Sequence, residues 1–242
     1  MTQAIPLIVN PGKQYSLGGM TFLQMTQRLK EECGVSGSLS TVKNQVGELK
    51  RLVNWIARAY TGILARHRDW LFLQQPVLFN TTADKASYNY TEVGVWSLRD
   101  YKKNSFRCYP LGQPDAELEL PWMPWQEFRD TYQFGAYRSL TRRPEAFTLD
   151  PQRNLVLGPT PDAVYTINGE CWARPTDLVN DDDMPILPGH FHMMIVYRAM
   201  MFYGAYESAP EVYANGEREY SIMFAQLTAD QLPPICFGGP LA

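Results

Sequence analysis

The side chains best suited to metal chemistry lie in one stretch: Asp181, Asp182 and Asp183, followed by His190 and His192. Carboxylates and imidazoles are the usual hard and borderline ligands, and a metal-dependent hydrolase is the enzyme reading they would support. Three consecutive Asp residues point in different directions, however, and His at i and i+2 on a helix face apart. The plainer reading is an acidic linker entering a helix N-terminus, where negative charge is favoured. His67, the remaining histidine, sits among Arg66, Arg68 and Asp69 at an expected helix end, where a cation complements the dipole. It has no nucleophile to serve and reads as a surface residue. "GVSGS" follows a helix and lacks the strand-to-helix setting of a phosphate loop. No catalytic, metal or cofactor site is expected, and the chain does not read as an enzyme. The densest basic cluster is Arg138, Arg142 and Arg143, with Tyr137 nearby; these are candidates for DNA or inter-subunit contact, against the plainer reading of a solvated loop.

The elements that position these residues follow from the apolar pattern. Thr21 and Gln24 have the form of a capping box, and Phe22, Met25, Leu29 and Cys33 continue at helical spacing, which predicts a helix over about 21–33. After a flexible "GVSGSLS" link, Val46, Leu49, Val53, Ile56, Tyr60 and Ile63 predict a second helix over roughly 43–68. From 71 to 187 the texture changes to short β-prone runs, "PVLFN", "SFRCY", "ELELPW", "AFTLD", "LVLG" and "VYTINGECWA", separated by Pro, Gly, Asn and Asp. "FTLDPQRNLVLG" reads as a hairpin, and one short helix is expected near 125–132. "PGHFHMMIVYRAMMFYGAYES" is apolar around nearly its whole circumference, as a helix buried on several sides would be. Ser208 and Glu211 suggest a second capping box opening a last helix over about 209–229, with Pro210 in its first turn.

The order helix, helix, β segment, helix, helix predicts an α+β fold. Residues 20–70 and 188–229 would form a four-helix bundle from the N- and C-terminal helix pairs, and 71–187 an antiparallel β-rich insertion. Residues 1–19 would be an N-terminal extension, and 230–242 an extended C-terminal arm, since Pro233 and Pro234 cannot continue a helix.

Composition narrows the classes of function. The 242 residues are 45% apolar and 13% aromatic, enough for a sizeable core, and the net charge is −3 with 19% charged residues. No basic excess points to long-lived phosphate binding, and no apolar run approaches the roughly 20 residues of a membrane span. Cys33, Cys108, Cys171 and Cys236 are scattered without zinc spacing, as free thiols made in a reducing compartment would be.

Three separated blocks carry a resemblance. "MTFLQMTQRLKEECGVSGSLSTVKNQVGELKRLVNWIARAYTGI", "LVLGPTPDAVYTINGECWARP" and "VYRAMMFYGAYESAPEVYANGEREYSIMFAQLTADQLP" together resemble the adaptor proteins of tailed bacteriophages, the head-completion or head-to-tail connector component that docks on the portal. The resemblance extends from Met20 to about Pro234 and includes no catalytic signature. It implies a structural virion protein in the neck, made in the host bacterial cytoplasm, with one copy per portal subunit in a dodecameric ring around the DNA channel. The implied partners are the portal, identical subunits, a downstream tail or neck protein and, transiently, the passing genome; no membrane is involved. The portal-binding arm would use Pro233, Pro234, Ile235 and Phe237. Relatives look as though they begin near Met20, so residues 1–19 are a departure, and Ile5, Leu7, Ile8 and Val9 are candidates for contact with a neighbouring protein. Another neck or tail-tube ring protein is the alternative, disfavoured by the helix content.

Overall fold

The computed structural model describes residues 18–232. Among them are five α-helices: α1 (Phe22–Glu32), α2 (Gly47–Leu64), α3 (Trp125–Phe128), α4 (His192–Tyr206) and α5 (Pro210–Gln231). The strands are β1 (Gln74–Asn80), β2 (Ser87–Tyr88), β3 (Asp100–Tyr101), β4 (Arg107–Pro110), β5 (Leu118–Glu119), β6 (Ala146–Leu149), β7 (Leu155–Gly158) and β8 (Tyr165–Trp172). The fold is α+β with antiparallel sheets. The described chain divides into two compact units, one from Gln74 to Arg174 and one formed by the residues up to Leu73 and from Pro175 onward.

In the helical unit, α1 starts where expected. The Thr21 hydroxyl accepts the Gln24 amide and the Gln24 side chain accepts the Thr21 amide, so two orphan donors are satisfied reciprocally. The second helix starts later than its apolar pattern suggests, because Asn44 and Gly47 adopt left-handed φ values of 57° each. The preceding link is packed rather than loose: Val35, Leu39 and Val42 are buried, and the Gln27 side chain donates to the Leu39 carbonyl at 2.8 Å.

Helix α4 is the hub, packing against α1, α2 and α5. That explains its nearly continuous apolar surface, with Met194, Ile195, Val196, Ala199, Met200 and Met201 all buried. Each of these Met, Ile and Val side chains contributes at most about 1.5–3 kcal/mol. Two glycines let α5 lie close to α4: a Cβ on Gly204 would fall 2.7 Å from the Tyr213 nitrogen, and one on Gly216 would fall 2.8 Å from the Tyr197 carbonyl oxygen.

The junction between α4 and α5 corrects the second capping box. Ser208 has φ 55° and ends α4, with the Ala209 amide reaching back to the Gly204 carbonyl at 2.9 Å, the six-to-one bond of a Schellman motif. Ala209 is the N-cap of α5 and makes no side-chain cap bond. Pro210 imposes this, because the residue before proline is pushed out of the helical region.

In the β-rich unit, the five-stranded sheet has the order β1-β8-β4-β5 with β3 also on β8, and the three-stranded sheet runs β2-β7-β6. The expected hairpin is present, β6 pairing β7 with Phe147 opposite Leu157, and the Asp150 carboxylate accepting the Asn154 amide in the turn. Val77, Phe79, Ile167 and Cys171 from one sheet share a core cluster with Phe147, Leu155 and Leu157 from the other. Strand β1 alternates strictly, Gln75, Val77 and Phe79 inward and Pro76, Leu78 and Asn80 outward. As the Thr81 amide donates to the Tyr165 carbonyl, the alternation puts the backbone of Pro76 on the edge away from β8, where its missing N–H costs no ladder bond.

Candidate functional site

The acidic run is a clasp. The Asp181 carboxylate accepts the Val42 amide at 2.6 Å and the Thr41 hydroxyl at 2.8 Å, and these donors hold its carboxyl below the usual range. The Asp183 carboxylate accepts the Val179 and Asn180 amides, each at 2.7 Å. The backbone carbonyls of Asp183 and Asp181 receive the Phe22 and Leu23 amides of the first turn of α1 at 2.8 and 3.2 Å. The run thereby satisfies orphan donors of a helix N-terminus.

His192 is buried, with Nδ1 accepting the Met20 amide at 2.8 Å and Nε2–H donating to the Leu187 carbonyl at 3.1 Å. Burial lowers its pKa, so the neutral tautomer fits both partners. His190 packs its ring against Phe191, with centroids 4.1 Å apart. Among the described residues, no three His, Cys, Asp or Glu side chains converge as metal ligands. His67 departs from the surface reading: it is half-buried, edge-on to Trp70 at 4.9 Å and stacked on Phe224 at 6.0 Å. Cys33, Cys108 and Cys171 are free thiols, and burial pushes Cys33 and Cys171 up to about 12.

The three arginines singled out in the β-rich unit separate. The Arg143 guanidinium donates to the Cys108 carbonyl and, at 2.8 Å, to that of Ala116, stitching two segments together. Arg142 pairs with Glu145 at 2.7 Å. Arg138 lines an open recess with Tyr132, Gln133, Phe134 and Thr160, and both Phe134 and Tyr137 nearby in sequence are exposed.

A second arginine constellation lies in the helical unit and spans three helices. Arg51 sits 4.4 Å from the Tyr206 ring centroid and Arg58 4.6 Å from that of Phe202. Arg198 lies 5.1 Å from Phe202 and 5.4 Å from Tyr220, and Arg66 lies 5.4 Å from Phe224. The rings themselves adjoin, Trp55 against Tyr206 at 5.7 Å and Tyr220 stacked on Phe224 at 5.5 Å. None of the four arginines forms an ion pair with a carboxylate of the described residues. Sequence reasoning missed this stripe because it searched for neighbours in the chain. Its signal is helical: Arg198, Phe202 and Tyr206 at i, i+4, i+8, and Arg51, Trp55 and Arg58 at i, i+4, i+7.

The described residues therefore present surfaces and fold contacts, and no helix among them is long and apolar enough to cross a membrane. Pro233, Pro234, Ile235 and Phe237, like Ile5, Leu7, Ile8 and Val9, lie outside the described residues. No curated protein matches the chain. The model of the SU10 adaptor protein family matches residues 20–234, from just before the α1 cap to just past the end of α5. The chain belongs to the SU10 adaptor protein family, the head-to-tail adaptors of tailed bacteriophages.

Proposed function

We propose that this phage structural adaptor assembles as a ring in the virion neck, one copy per portal subunit, and joins the portal to the tail while extending the DNA channel. The observation that carries this reading is the family match over residues 20–234, which spans both helix pairs and the β-rich unit between them. The packing of α4 on α1, α2 and α5 supports a bundle formed by both ends of the chain, residues 20–70 and 188–229, with 71–187 inserted between them. A dodecameric ring makes the subunit contact heterologous, so two different faces of each protomer must be complementary. The recess beside Arg138, with exposed Phe134 and Tyr137, supplies one candidate inter-subunit face, and Arg142 and Arg143 belong to the same segment.

The C-terminal residues Pro233, Pro234, Ile235 and Phe237 dock the ring on the portal, extended prolines lowering the entropy lost on binding. Ile5, Leu7, Ile8 and Val9 contact a neighbouring protein. The role is scaffolding and not catalysis, in keeping with Asp181, Asp183 and His192 being engaged in fold contacts. The test is removal of residues 233–242. The truncated chain should keep the circular dichroism and melting temperature of the full chain while losing association with the portal; retained association contradicts the docking assignment.

A further inference from the structure

We infer that the arginine–aromatic stripe across α2, α4 and α5 is a phosphodiester-contact surface, the face this adaptor presents to the passing genome. The inference deepens the adaptor reading and rests on it for the source of the DNA.

Four cations lie in a row with no ion pair to a carboxylate of the described residues, while Glu48 and Glu207 lie near its Arg51 end. Arg58 and Arg198 approach the same Phe202 ring, two like charges brought together with no carboxylate of the described residues paired to either. Arg51 lies beside the neighbouring Tyr206 ring and Arg66, just past the end of α2, beyond Tyr220, so the row follows α2 from residue 51 to its C-terminus, roughly 20 Å at the helical rise. One DNA strand presents a phosphate about every 3.4 Å along the duplex axis, so the stripe spans several. Glu219, beside Tyr220 on α5, pairs with Arg218 at 3.0 Å instead.

The rings explain why arginine is suited here. A guanidinium lying over an aromatic face retains its charge and its N–H fork while the ring limits its rotamers, so less entropy is lost when an oxyanion binds. Arg51, Arg58 and Arg66 are exposed. Trp55, Phe202 and Phe224 are half-buried and Tyr220 is buried, which leaves Tyr206, 53% exposed, as the large apolar side chain open on the stripe. A protein partner needs an apolar, charge-depleted centre to bury. A row of guanidinium groups without an ion pair among the described residues, over covered rings, instead suits a series of phosphates. A few such contacts in a chain of net charge −3 give binding that is weak, sequence-independent and readily released by salt.

The experiment measures anisotropy of a fluorescein-labelled duplex of about 30 base pairs with the full-length chain, from about 50 to 200 mM salt. The wild type should bind with a slope of log affinity against log salt of about −3, near −0.9 per phosphate contacted. The R51Q/R58Q/R66Q variant should lose at least about tenfold at the lowest salt and flatten the slope by about one per arginine. R51K/R58K/R66K, which keeps the charge, should retain the slope, and R138Q/R142Q should match the wild type. Melting temperature and circular dichroism establish that each variant is folded. An unchanged slope in the Gln variant, absence of salt-dependent binding by the wild type, or equal competition by poly-glutamate overturns the inference; the last assigns the stripe to an acidic protein. Portal association of the same variants is scored separately. Intact portal binding without DNA binding defeats this inference alone, and DNA binding by the stripe without portal association defeats the adaptor assembly alone.

Discussion

The Asp181 carboxylate and the Val42 amide, 139 positions apart in the chain, meet at 2.6 Å and join the link after α1 to the segment before α4. The same segment lends its Asp181 and Asp183 carbonyls to the first turn of α1. An acidic run that reads as a metal candidate is thus the fastening between the two ends of the helical unit.

This fastening has a pH signature. The folded pKa of Asp181 is lowered, first by the Val42 amide and then by Thr41. Its contribution is therefore complete above the unfolded value of about 3.9 and is lost as pH falls through the lower folded value. Asp181→Asn should lower the melting temperature at neutral pH. The gap to the wild type should narrow on titration below about pH 4; a gap independent of pH down to acid unfolding contradicts the charge assignment.

His192 acts in the same direction at higher pH. Burial is the largest cause of its lowered pKa, so the unfolded chain binds the proton more readily than the folded one. Stability from the neutral ring is complete above about pH 6.5 and falls as pH drops toward the folded value, at up to about 1.4 kcal/mol per pH unit. Thermal melts of the wild type should show this loss as pH falls below about 6.5, and His192→Asn should be less stable at pH 7.5 and flatter on acidification.

Gly204 reverses the usual helix rule. Gly to Ala inside a helix ordinarily gains up to about 1 kcal/mol. Here the new methyl would meet the Tyr213 nitrogen and the Ala209 carbonyl oxygen at 2.7 and 2.9 Å, both backbone atoms that cannot turn aside. Gly204→Ala should cost about 1–3 kcal/mol, read as a lower denaturation midpoint. An increase would mean that α5 does not lie this close to α4.

What was legible in the sequence was whatever local chemistry decides. Thr21 and Gln24 satisfy one another within a single turn, and the β6–β7 hairpin closes through Asp150 and Asn154, so each is written in a few adjacent residues. The apolar circumference of α4 announced a helix packed on several sides. Failures came where two neighbouring elements compete for one residue: Ser208 is a good N-cap type, but the turn uses it to end α4 because Pro210 restricts Ala209. The candidate surfaces were least legible. Arg143 turned inward to carbonyls of Cys108 and Ala116, residues distant in sequence, while the arginine stripe is assembled only when three helices meet.

The central claim is assembly on a portal, and the most direct measurement is the mass of the portal ring, by mass photometry at matched salt, before and after addition of the full-length chain. The account predicts a discrete increase equal to one chain per portal subunit, about twelve copies on a dodecameric portal. A portal ring whose mass is unchanged at saturating chain would contradict it.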